Sequence, residues 1–465
     1  MPFSDRLVFD EALIRRFDVN GPRYTSYPTA DRFVSDFGAD AYRERLARRR
    51  DDPRDRKPFS LYFHLPFCSA ICYYCACNKI VTGDHGRSAK YLKYLGKEIA
   101  LQTAFLAPDD DAVEQLHWGG GTPTFMSRDE MRRLMGMIRR HFRLLDDGEY
   151  SIEVDPRKVD RATVDLLAEL GFNRISVGVQ DFDTRVQRAV NRVQSEEETF
   201  AVIDAARANG FKSISVDLIY GLPKQSAAGF ERTLDRVLAA GPDRLSIYNY
   251  AHLPALFKPQ RRILDADLPT PDERLRILAL AIGKLTAAAY VFIGMDHFAK
   301  PDDELAVAQR AGRLHRNFQG YSTHSDRDML SFGISSIGKL GASYSQNVKT
   351  LEDYYARLDD GVLPVFRGIE LTPDDRLRRA VIGSLMCHFA LPFAAFEKEY
   401  GIDFTRYFSL ELAELGEMER AGLLRVEPDR VVVLPPGRML ARVIAMVFDA
   451  RLRADRTRNR YSKVI

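Results

Sequence analysis

Phe63-His-Leu-Pro-Phe-Cys68-Ser-Ala-Ile-Cys72-Tyr-Tyr-Cys75-Ala-Cys77 is the stretch on which the interpretation of the chain depends. It holds four of the five cysteines, with the spacing C-x₃-C-x₂-C-x-C. Thiolates bind zinc and iron–sulfur clusters, but zinc sites usually pair two separated Cys or His couples, and no second couple is visible. The spacing favours a cluster in which Cys68, Cys72 and Cys75 bind three irons and leave a fourth open. Structural zinc bound by all four thiols stays the alternative.

Composition limits the classes of function that fit this chain. Its 465 residues carry 68 basic and 65 acidic side chains, a net charge of +3, so no global field favours nucleic acid. We find neither an N-terminal apolar signal region nor an apolar run long enough for a membrane span. Clustered cysteines do not resemble a secreted disulfide framework. We therefore expect a cytoplasmic protein that binds neither nucleic acid nor a membrane, and we further expect a monomer.

Strand-like runs alternate with helix-length amphipathic stretches from residue 60 onward. The strand candidates are Ser60–Leu65, Gln115–Gly119, Tyr150–Val154, Arg174–Val179, Ser213–Ile219 and Arg244–Tyr250, and Val291–Gly294 is a seventh apolar run. The helix candidates are Ala89–Leu106, Ser127–Phe142, Asp160–Leu170, Ser195–Asn209, Ala227–Ala240 and Pro271–Ala288. This alternation predicts a parallel sheet, either a partial (β/α)6-type barrel or a doubly wound sheet.

Four domains or segments follow from the change of pattern along the chain. Residues 1–55 are predicted to be an N-terminal extension covering the active site, and residues 56–300 the barrel. Residues 301–365 are predicted to connect the barrel to a mostly helical, winged-helix-like domain and tail at 366–465. Pro301–Tyr321 is interpreted as polar and irregular, and Leu424–Leu434 as a small hairpin.

Polar groups recur where the predicted strands end, and parallel barrels place their active sites there. Trp118-Gly-Gly-Gly-Thr-Pro123 follows the second strand, and its glycines are expected to expose backbone N–H groups to a carboxylate. The later strands carry Glu153-Val-Asp155-Pro-Arg157, Gly178-Val-Gln180-Asp181, Asp217 and Asn249-Tyr-Ala251-His252 at or near their ends. Acids and amides are costly to bury unless they are paired, so their recurrence in register predicts a site.

With these motifs in view, the chain resembles the radical S-adenosylmethionine (SAM) enzymes, and within them the oxygen-independent coproporphyrinogen III oxidases. The resemblance rests on the cysteine run with Gly119-Gly-Gly-Thr-Pro123, and it covers nearly the whole chain. Further matching motifs are Pro22-Arg-Tyr-Thr-Ser-Tyr-Pro28, Asn78-Lys-Ile-Val81, Ile152-Glu-Val-Asp-Pro-Arg157, Val177-Gly-Val-Gln-Asp-Phe182, Asp217-Leu-Ile-Tyr-Gly-Leu-Pro-Lys224, Gly294-Met-Asp-His-Phe298, Leu314-His-Arg-Asn-Phe-Gln-Gly-Tyr321 and Tyr461-Ser-Lys-Val-Ile465.

The resemblance implies a [4Fe–4S] cluster bound by Cys68, Cys72 and Cys75, together with two molecules of SAM. One SAM would bind the open iron and contact Tyr62, Gly120, Glu153 and Ile337. The second would contact Gly121, Thr122, Gln180, Arg192, Asp217 and Ala251. Tyr74 stands where the family is expected to have Phe, so it adds a hydroxyl beside the second SAM.

The resemblance also implies the reaction, in which a radical made from SAM takes a hydrogen atom from a propionate of coproporphyrinogen III. Loss of carbon dioxide and an electron then leaves a vinyl group, and an unidentified redox protein supplies the reducing electron. We assign catalytic roles to Tyr62, to His64 as a proton or hydrogen-bond group, and to Cys77 as a redox or hydrogen-donor residue. Arg23 and Arg316 are candidates for binding the substrate carboxylates.

Two other functions compete with this interpretation. A haem-binding chaperone on the same scaffold would generally lack Cys77 and the segment Pro22–Pro28, both of which are present. A zinc-stabilised interaction protein would contain zinc without acid-labile sulfide. The fifth cysteine, Cys387, lies alone in an apolar helix and is predicted to be core packing.

Overall fold

Six parallel strands form the centre of a 12-stranded sheet in the computed structural model, which describes residues 7–52, 56–324, 327–454 and 461–465. We label them β1 to β6: Phe59–Leu65, Ala112–Gly120, Arg143–Val154, Arg174–Gln180, Ser213–Tyr220 and Arg244–Asn249. The strands lie side by side in chain order and each neighbouring pair is parallel. A doubly wound sheet would reverse its strand order at a switch point, so the partial barrel is confirmed.

Six helices follow these strands, and we label them α1 to α6: Gly86–Thr103, Arg128–His141, Arg161–Glu169, Glu196–Ala208, Ala227–Ala240 and Pro271–Ala287. Five of these helices, all but α1, begin at a residue whose side chain caps the N-terminus. Ser127 and Ser195 each form a capping box with a glutamate three residues later. The helices bury one apolar face, such as Leu95 and Ile99 of α1, which are fully buried.

Both edges of the sheet are antiparallel extensions that follow the parallel strands in the chain. At one edge, His297–Ala299 pairs antiparallel with β6, and Val291–Gly294 pairs antiparallel with His297–Ala299. The predicted seventh strand is therefore present as the outer strand of a hairpin. At the other edge, Met329–Phe332 pairs parallel with β1. Ile337–Leu340, Ser343–Asn347 and Val365–Glu370 then continue the sheet as antiparallel strands.

The interpretation of Pro301–Tyr321 as irregular is wrong. The segment contains a helix, Glu304–Arg310, and the first strand of a hairpin formed by His315–Asn317 and Gly320–Ser322, which ends just beyond it. These elements are too short to show a hydrophobic period, and tertiary contacts stabilise them. Gln309 donates to the carbonyl of Cys387 at 3.0 Å.

The remaining helices include two before the barrel, one within it and a group that forms most of the C-terminal part of the chain. A three-stranded sheet of Ala390–Pro392, Leu424–Glu427 and Arg430–Val433 contains the predicted hairpin. The other α-helices are Glu11–Phe17, Ala39–Asp51, Thr184–Ala189, Leu351–Asp359, Pro373–His388, Phe393–Tyr400, Phe404–Tyr407, Ser409–Glu414, Gly416–Arg420, Ala441–Met446 and Ala450–Ala454. Within the described residues, no helix is long and apolar enough to cross a membrane. The domain boundaries stay predictions.

Two segments almost a whole chain length apart are paired beside the barrel. Val464 donates its N–H to the Val19 carbonyl at 2.9 Å, and Gly21 donates to Ser462 at 3.1 Å. The Ile465 N–H is bonded to the Asp18 carboxylate at 3.0 Å. The segment that carries Arg23 is therefore held by residues 462–465.

Candidate active site

The cysteine loop begins directly after β1 and is anchored at several points. Cys68 lies in a two-residue strand, Phe67–Cys68, paired with Ile80–Val81, and Thr122 Oγ1 donates to its Sγ at 3.5 Å. Asn191 donates to the Ile71 carbonyl at 2.7 Å. The loop is therefore fixed both by its own strand pair and by the chain that follows β4.

Two guanidinium groups approach the thiol of Cys72. Arg157 Nη2 lies 3.9 Å and Arg192 Nη1 lies 3.7 Å from the sulfur. Asp155 holds both of them, at 2.6 Å from Arg157 and 3.2 Å from Arg192. The two guanidiniums place positive charge beside this sulfur, where it would offset the negative charge of a thiolate-bound cluster. The donor set therefore fits an iron–sulfur cluster.

Zinc does not fit the loop equally well. In residues 7–52, 56–324, 327–454 and 461–465, no three His, Cys, Asp or Glu side chains converge where one metal ion could bind. A zinc ion needs its ligands around one point, whereas each thiolate of a cluster binds its own iron. Cys77 is exposed, and its thiol hydrogen-bonds with that of Cys75.

Tyr62 and His64 form a hydrogen-bonded chain at the end of β1. Tyr62 Oη lies 3.1 Å from His64 Nδ1, and His64 Nε2 lies 2.9 Å from the Asn78 carbonyl oxygen. A carbonyl only accepts, so Nε2 carries the proton and Nδ1 accepts from the tyrosine. Burial lowers the pKa of His64, which keeps the ring neutral in this arrangement.

Glu153 occupies the end of β3 and faces open space with 48% of its side chain exposed. It accepts the Gly120 N–H at 3.2 Å and lies 3.4 Å from His117 Nε2. Burial acts to raise the pKa of Glu153, but hydrogen bonds from His117 and from the Gly120 N–H act against it, and the net shift of that pKa is downward. His117 in turn stacks on the Tyr62 ring at 5.9 Å between centroids.

The glycines after β2 are needed for close packing rather than for free N–H groups. A Cβ on Gly120, which has φ +111°, would lie 2.6 Å from the His64 ring, and one on Gly121 would lie 2.6 Å from the Pro66 backbone. The N–H groups of Gly121 and Thr122 are bonded to the carbonyls of Leu65 and Phe67 at 2.9 and 2.8 Å. The expectation that these groups are free to bind a carboxylate is therefore wrong.

Gln180 and Asp217 lie on the neighbouring strands β4 and β5, and Arg192, from the chain that follows β4, reaches the same place. Gln180 has φ +67° where β4 and β5 shift register, an uncommon conformation that re-aims its side chain. Arg192 donates to the Gly178 carbonyl at 2.7 Å, while its buried Nε has no partner. Ser176 donates to Asp217 at 2.8 Å, and burial raises the pKa of Asp217 to about 6.

A cavity of about 170 Å³ lies inside the barrel below these groups. His117, Glu153, Asp217, Tyr248 and His297 are among the side chains that line it. Side chains from β2 to β6 therefore face one common space, which is polar toward the strand ends. This space is large enough for part of a small polar ligand.

The side chain of Gln260, which the sequence analysis did not predict as part of the site, connects Tyr74 and Ala251 by hydrogen bonds. The buried Gln260 donates to the carbonyl of Tyr74 at 3.0 Å and to that of Ala251 at 3.2 Å. No local pattern marks this glutamine. Ile337 is less central, because it packs with Phe33 and Tyr344 in a separate apolar cluster at the far side of β1.

The two candidate arginines lie at the barrel mouth, and they differ in whether their guanidinium groups are paired. Arg23 is paired with Asp296 and lies over the Tyr248 ring at 5.8 Å. Arg316 lies over Tyr321 at 4.8 Å, but its buried Nε and Nη1 have no hydrogen-bond partner. Orphaned donors of this kind are costly, which favours an anionic ligand beside Arg316.

Cys387 lies 2% exposed in an apolar cluster, as predicted. Burial raises the pKa of its thiol to about 12, so it stays protonated at neutral pH.

Comparison with known proteins adds independent information about this arrangement. A model described as the Radical SAM superfamily matches residues 62–237, and one described as the HemN C-terminal domain matches residues 371–440. An oxygen-independent coproporphyrinogen III oxidase from Pseudomonas aeruginosa is 51% identical over 99% of this chain and 100% of that protein. The Escherichia coli enzyme of the same description is 49% identical over 98% of each chain. The solved structure of coproporphyrinogen III oxidase from Escherichia coli, described as a radical SAM enzyme, matches with a TM-score of 0.91 over 96% of this chain.

Proposed function

The chain belongs to the oxygen-independent coproporphyrinogen III oxidases of the radical SAM superfamily, and we propose that it converts the propionates on rings A and B of coproporphyrinogen III to vinyl groups. The product would be protoporphyrinogen IX, in anaerobic porphyrin and haem biosynthesis. For each propionate, one hydrogen atom leaves the β-carbon, the bond to the carboxylate breaks to release carbon dioxide, and one electron passes to an external acceptor.

Three thiols are proposed to hold the [4Fe–4S] cluster: Cys68, Cys72 and Cys75. When bound, the cluster supplies the electron that cleaves SAM and so provides the radical that removes hydrogen. Arg157 and Arg192 would offset the negative charge of the thiolate-bound cluster. This assignment rests on the position of both guanidiniums within 3.9 Å of the Cys72 sulfur.

Two molecules of SAM are proposed, as the family resemblance implies. The cluster-bound molecule would contact Tyr62, Gly120, Glu153 and Ile337. The second would contact Tyr74, Gly121, Thr122, Gln180, Arg192, Asp217 and Ala251. The orphaned Arg192 Nε is a group that a ligand would satisfy directly, whereas the Gly120 N–H is already bonded to Glu153. Because Ile337 packs in a separate cluster, its contact is the least supported of the set.

Tyr62, His64 and Cys77 are proposed to act on the substrate side of the cluster loop. The neutral His64 fixes the Tyr62 hydroxyl, so the pair can hold one hydrogen-bond direction toward a bound group. Cys77 is proposed as a hydrogen-donor or redox residue because SAM would occupy the open iron. A Cys77→Ser variant with an intact cluster and no turnover would support that role, and loss of the cluster would contradict it.

The unpartnered Nε and Nη1 of Arg316 are proposed to bind a substrate carboxylate, and Arg23, which is paired with Asp296, is the second candidate. Arg316→Met should raise the KM for coproporphyrinogen III at least tenfold, since a charge-assisted hydrogen bond contributes about 1.5–3 kcal/mol. The rate of SAM cleavage without porphyrin should stay unchanged. Arg313→Met, an exposed neighbour, is the matched control. An unchanged KM would remove Arg316 from the substrate site.

The observation that carries the proposed function is a loop of closely spaced thiols whose surroundings suit an iron–sulfur cluster. The loop belongs to a chain that is 51% identical to the Pseudomonas aeruginosa oxidase over 99% of its length. The test is anaerobic reconstitution with iron and sulfide, followed by incubation with SAM, dithionite and coproporphyrinogen III. We expect protoporphyrinogen IX, carbon dioxide and 5′-deoxyadenosine. Tight haem binding without decarboxylation would favour the chaperone, and zinc without acid-labile sulfide would favour the interaction protein. A monomer, a cytoplasmic location and a separate redox donor stay predictions.

A further inference from the structure

The outer side of the cysteine loop is bordered by residues 251–268, the segment after β6. Gln260 donates to the Tyr74 carbonyl at 3.0 Å, and Arg262 donates to the Tyr73 hydroxyl at 3.1 Å. Arg262 also lies over the Tyr73 ring at 5.1 Å. Residues 251–268 therefore meet the two tyrosines that stand between Cys72 and Cys75.

Three strongly exposed apolar side chains lie on the two segments that contact this loop. Val193 is 58%, Leu256 68% and Leu264 64% exposed, and within the described residues only Leu410 among the large hydrophobic side chains is comparably exposed. Val193 follows Asn191, which is bonded to Ile71 in the cysteine loop. Beside Leu264, the buried Ile263 packs in one apolar cluster with Tyr73 and Tyr74. Grouped exposed apolar residues mark interaction surfaces, whereas single ones do not.

The same surface is positively charged. Lys258, Arg261 and Arg262 are exposed, and no carboxylate in the described part of the chain forms an ion pair with them. Of the two acidic residues in this segment, Asp267 is paired with Lys224, so the exposed Asp265, 3.0 Å from His252 Nε2, is the one carboxylate set against three cations. The three cations therefore leave this surface with an uncompensated positive charge.

We propose that this cluster face, formed by Val193, Leu256, Lys258, Arg261, Arg262 and Leu264, docks a small acidic electron-carrier protein that reduces the iron–sulfur cluster. The inference rests on the proposed function, which needs one electron from outside the enzyme for each SAM cleaved. The reduced carrier gives up one electron, the cluster gains it, and no atom is transferred. Opposite charge steers the two proteins together, and a small apolar contact suits the weak, transient interfaces of redox partners.

The test compares two reductants on one charge-reversal variant, Lys258→Glu/Arg261→Glu, which leaves the Arg262–Tyr73 contact in place. The probe is a flavodoxin kept reduced by its NADPH-dependent reductase, and the control reductant is dithionite. We expect the KM for flavodoxin to rise at least tenfold at low ionic strength, with dithionite-driven turnover and iron content unchanged. Salt should weaken flavodoxin-driven turnover of the unmodified enzyme and affect the variant much less, since screening removes the attraction.

A matched double reversal on α2, Arg132→Glu/Arg133→Glu, should leave the KM for flavodoxin unchanged. Leu256→Ser should raise that KM by a smaller factor, because it removes an apolar contact and changes no charge.

An unchanged KM for flavodoxin in Lys258→Glu/Arg261→Glu would overturn the inference, as would an equal loss of turnover with dithionite. A change in oligomeric state by light scattering, with normal flavodoxin kinetics, would assign the face to self-association instead. Failure of the unmodified enzyme with dithionite would count against the proposed function, not against the docking face.

Discussion

Asp217 in the parallel half of the sheet and Glu98 beside its antiparallel extension are both carboxylates whose pKa burial raises, to about 6 and about 7. Glu98 is enclosed by four donors. These are the Tyr354 hydroxyl, the Gly333 N–H, and the side chains of Asn347 and Gln102, at 2.5 to 3.1 Å. Asp217 faces the barrel cavity instead, and a serine hydroxyl donates to it at 2.8 Å.

The comparison shows that burial raises the pKa of a carboxyl group both where it stabilises the fold and where it faces a cavity. Glu98 joins α1 to Met329–Phe332, Ser343–Asn347 and Leu351–Asp359, so its buried charge is matched by groups of the protein itself. Asp217 is only partly enclosed, and a ligand in the cavity would complete its surroundings. Buried polar groups that satisfy one another stabilise a fold, whereas those left open toward a cavity indicate a binding site.

Cys72→Ala, in the parallel half, should have the largest effect on activity of the variants that test this comparison. Removing a cluster ligand should abolish the iron–sulfur absorbance and all turnover. The midpoint of urea unfolding of the cluster-free protein should change little, because Cys72 is only half-buried on a loop. Cys387→Ala, in the core, is the control, and it should leave cluster and turnover intact. A cluster of normal iron content in Cys72→Ala would contradict the ligand assignment.

Glu98→Ala, in the antiparallel half, should lower the stability of the fold and leave the cluster and turnover intact. It leaves four buried donors without an acceptor, and breaking such a network costs about 3–5 kcal/mol of unfolding free energy. The measurement is urea unfolding, with iron content and turnover determined per mole of folded protein, both of which should be retained. Glu98→Gln keeps one acceptor and should lose less. Equal stability of Glu98→Ala and the unmodified chain would break the comparison.

The smallest effect is a pH dependence associated with Asp217. Its pKa is raised on folding from 3.8 to about 6, so the folded state binds the proton more tightly than the unfolded state. The stabilisation is complete below pH 3.8 and is lost as the pH rises through about 6, a loss of about 1–3 kcal/mol after solvent screening.

Asp217→Asn removes this titration. Unfolding of the cluster-free protein in urea at pH 5 and pH 8 is the measurement. The unmodified chain should lose more stability than Asp217→Asn between the two values. A parallel pH response of the two proteins would show that Asp217 is solvated like a surface carboxylate.

The sequence was informative where residues repeat a simple pattern. The six parallel strands were predictable because each is a β-branched or aromatic run bounded by turn residues. The cysteine loop was predictable as a metal or cluster site because four thiols lie within ten residues. Gln260 was not, since a single glutamine in a loop has no periodic neighbour. The glycines at 119–121 were recognised, but the carbonyl partners of the following N–H groups depend on the path of the neighbouring cysteine loop.

The antiparallel extension was missed for a physical reason. Ser343–Asn347 is buried throughout yet consists of Ser, Tyr, Ser, Gln and Asn, so no apolar alternation marks it as a strand. Its polar groups are tolerated because partners elsewhere, Glu98 among them, satisfy them. One signal was available: Glu98 lies on the same helix face as Leu95, Ile99 and Gln102 of α1, where a carboxylate must have buried donors.

The pairing of Val19 and Gly21 with Val464 and Ser462 has a consequence for the order of biosynthesis. Residues 19–21 leave the ribosome long before their partners at 462–464. The cysteine loop and the parallel strands are therefore synthesised before the Arg23 segment can be fastened beside the barrel. A nascent chain already carries every proposed cluster ligand at that stage, so fixing of the Arg23 segment waits for the synthesis of residues 462–465.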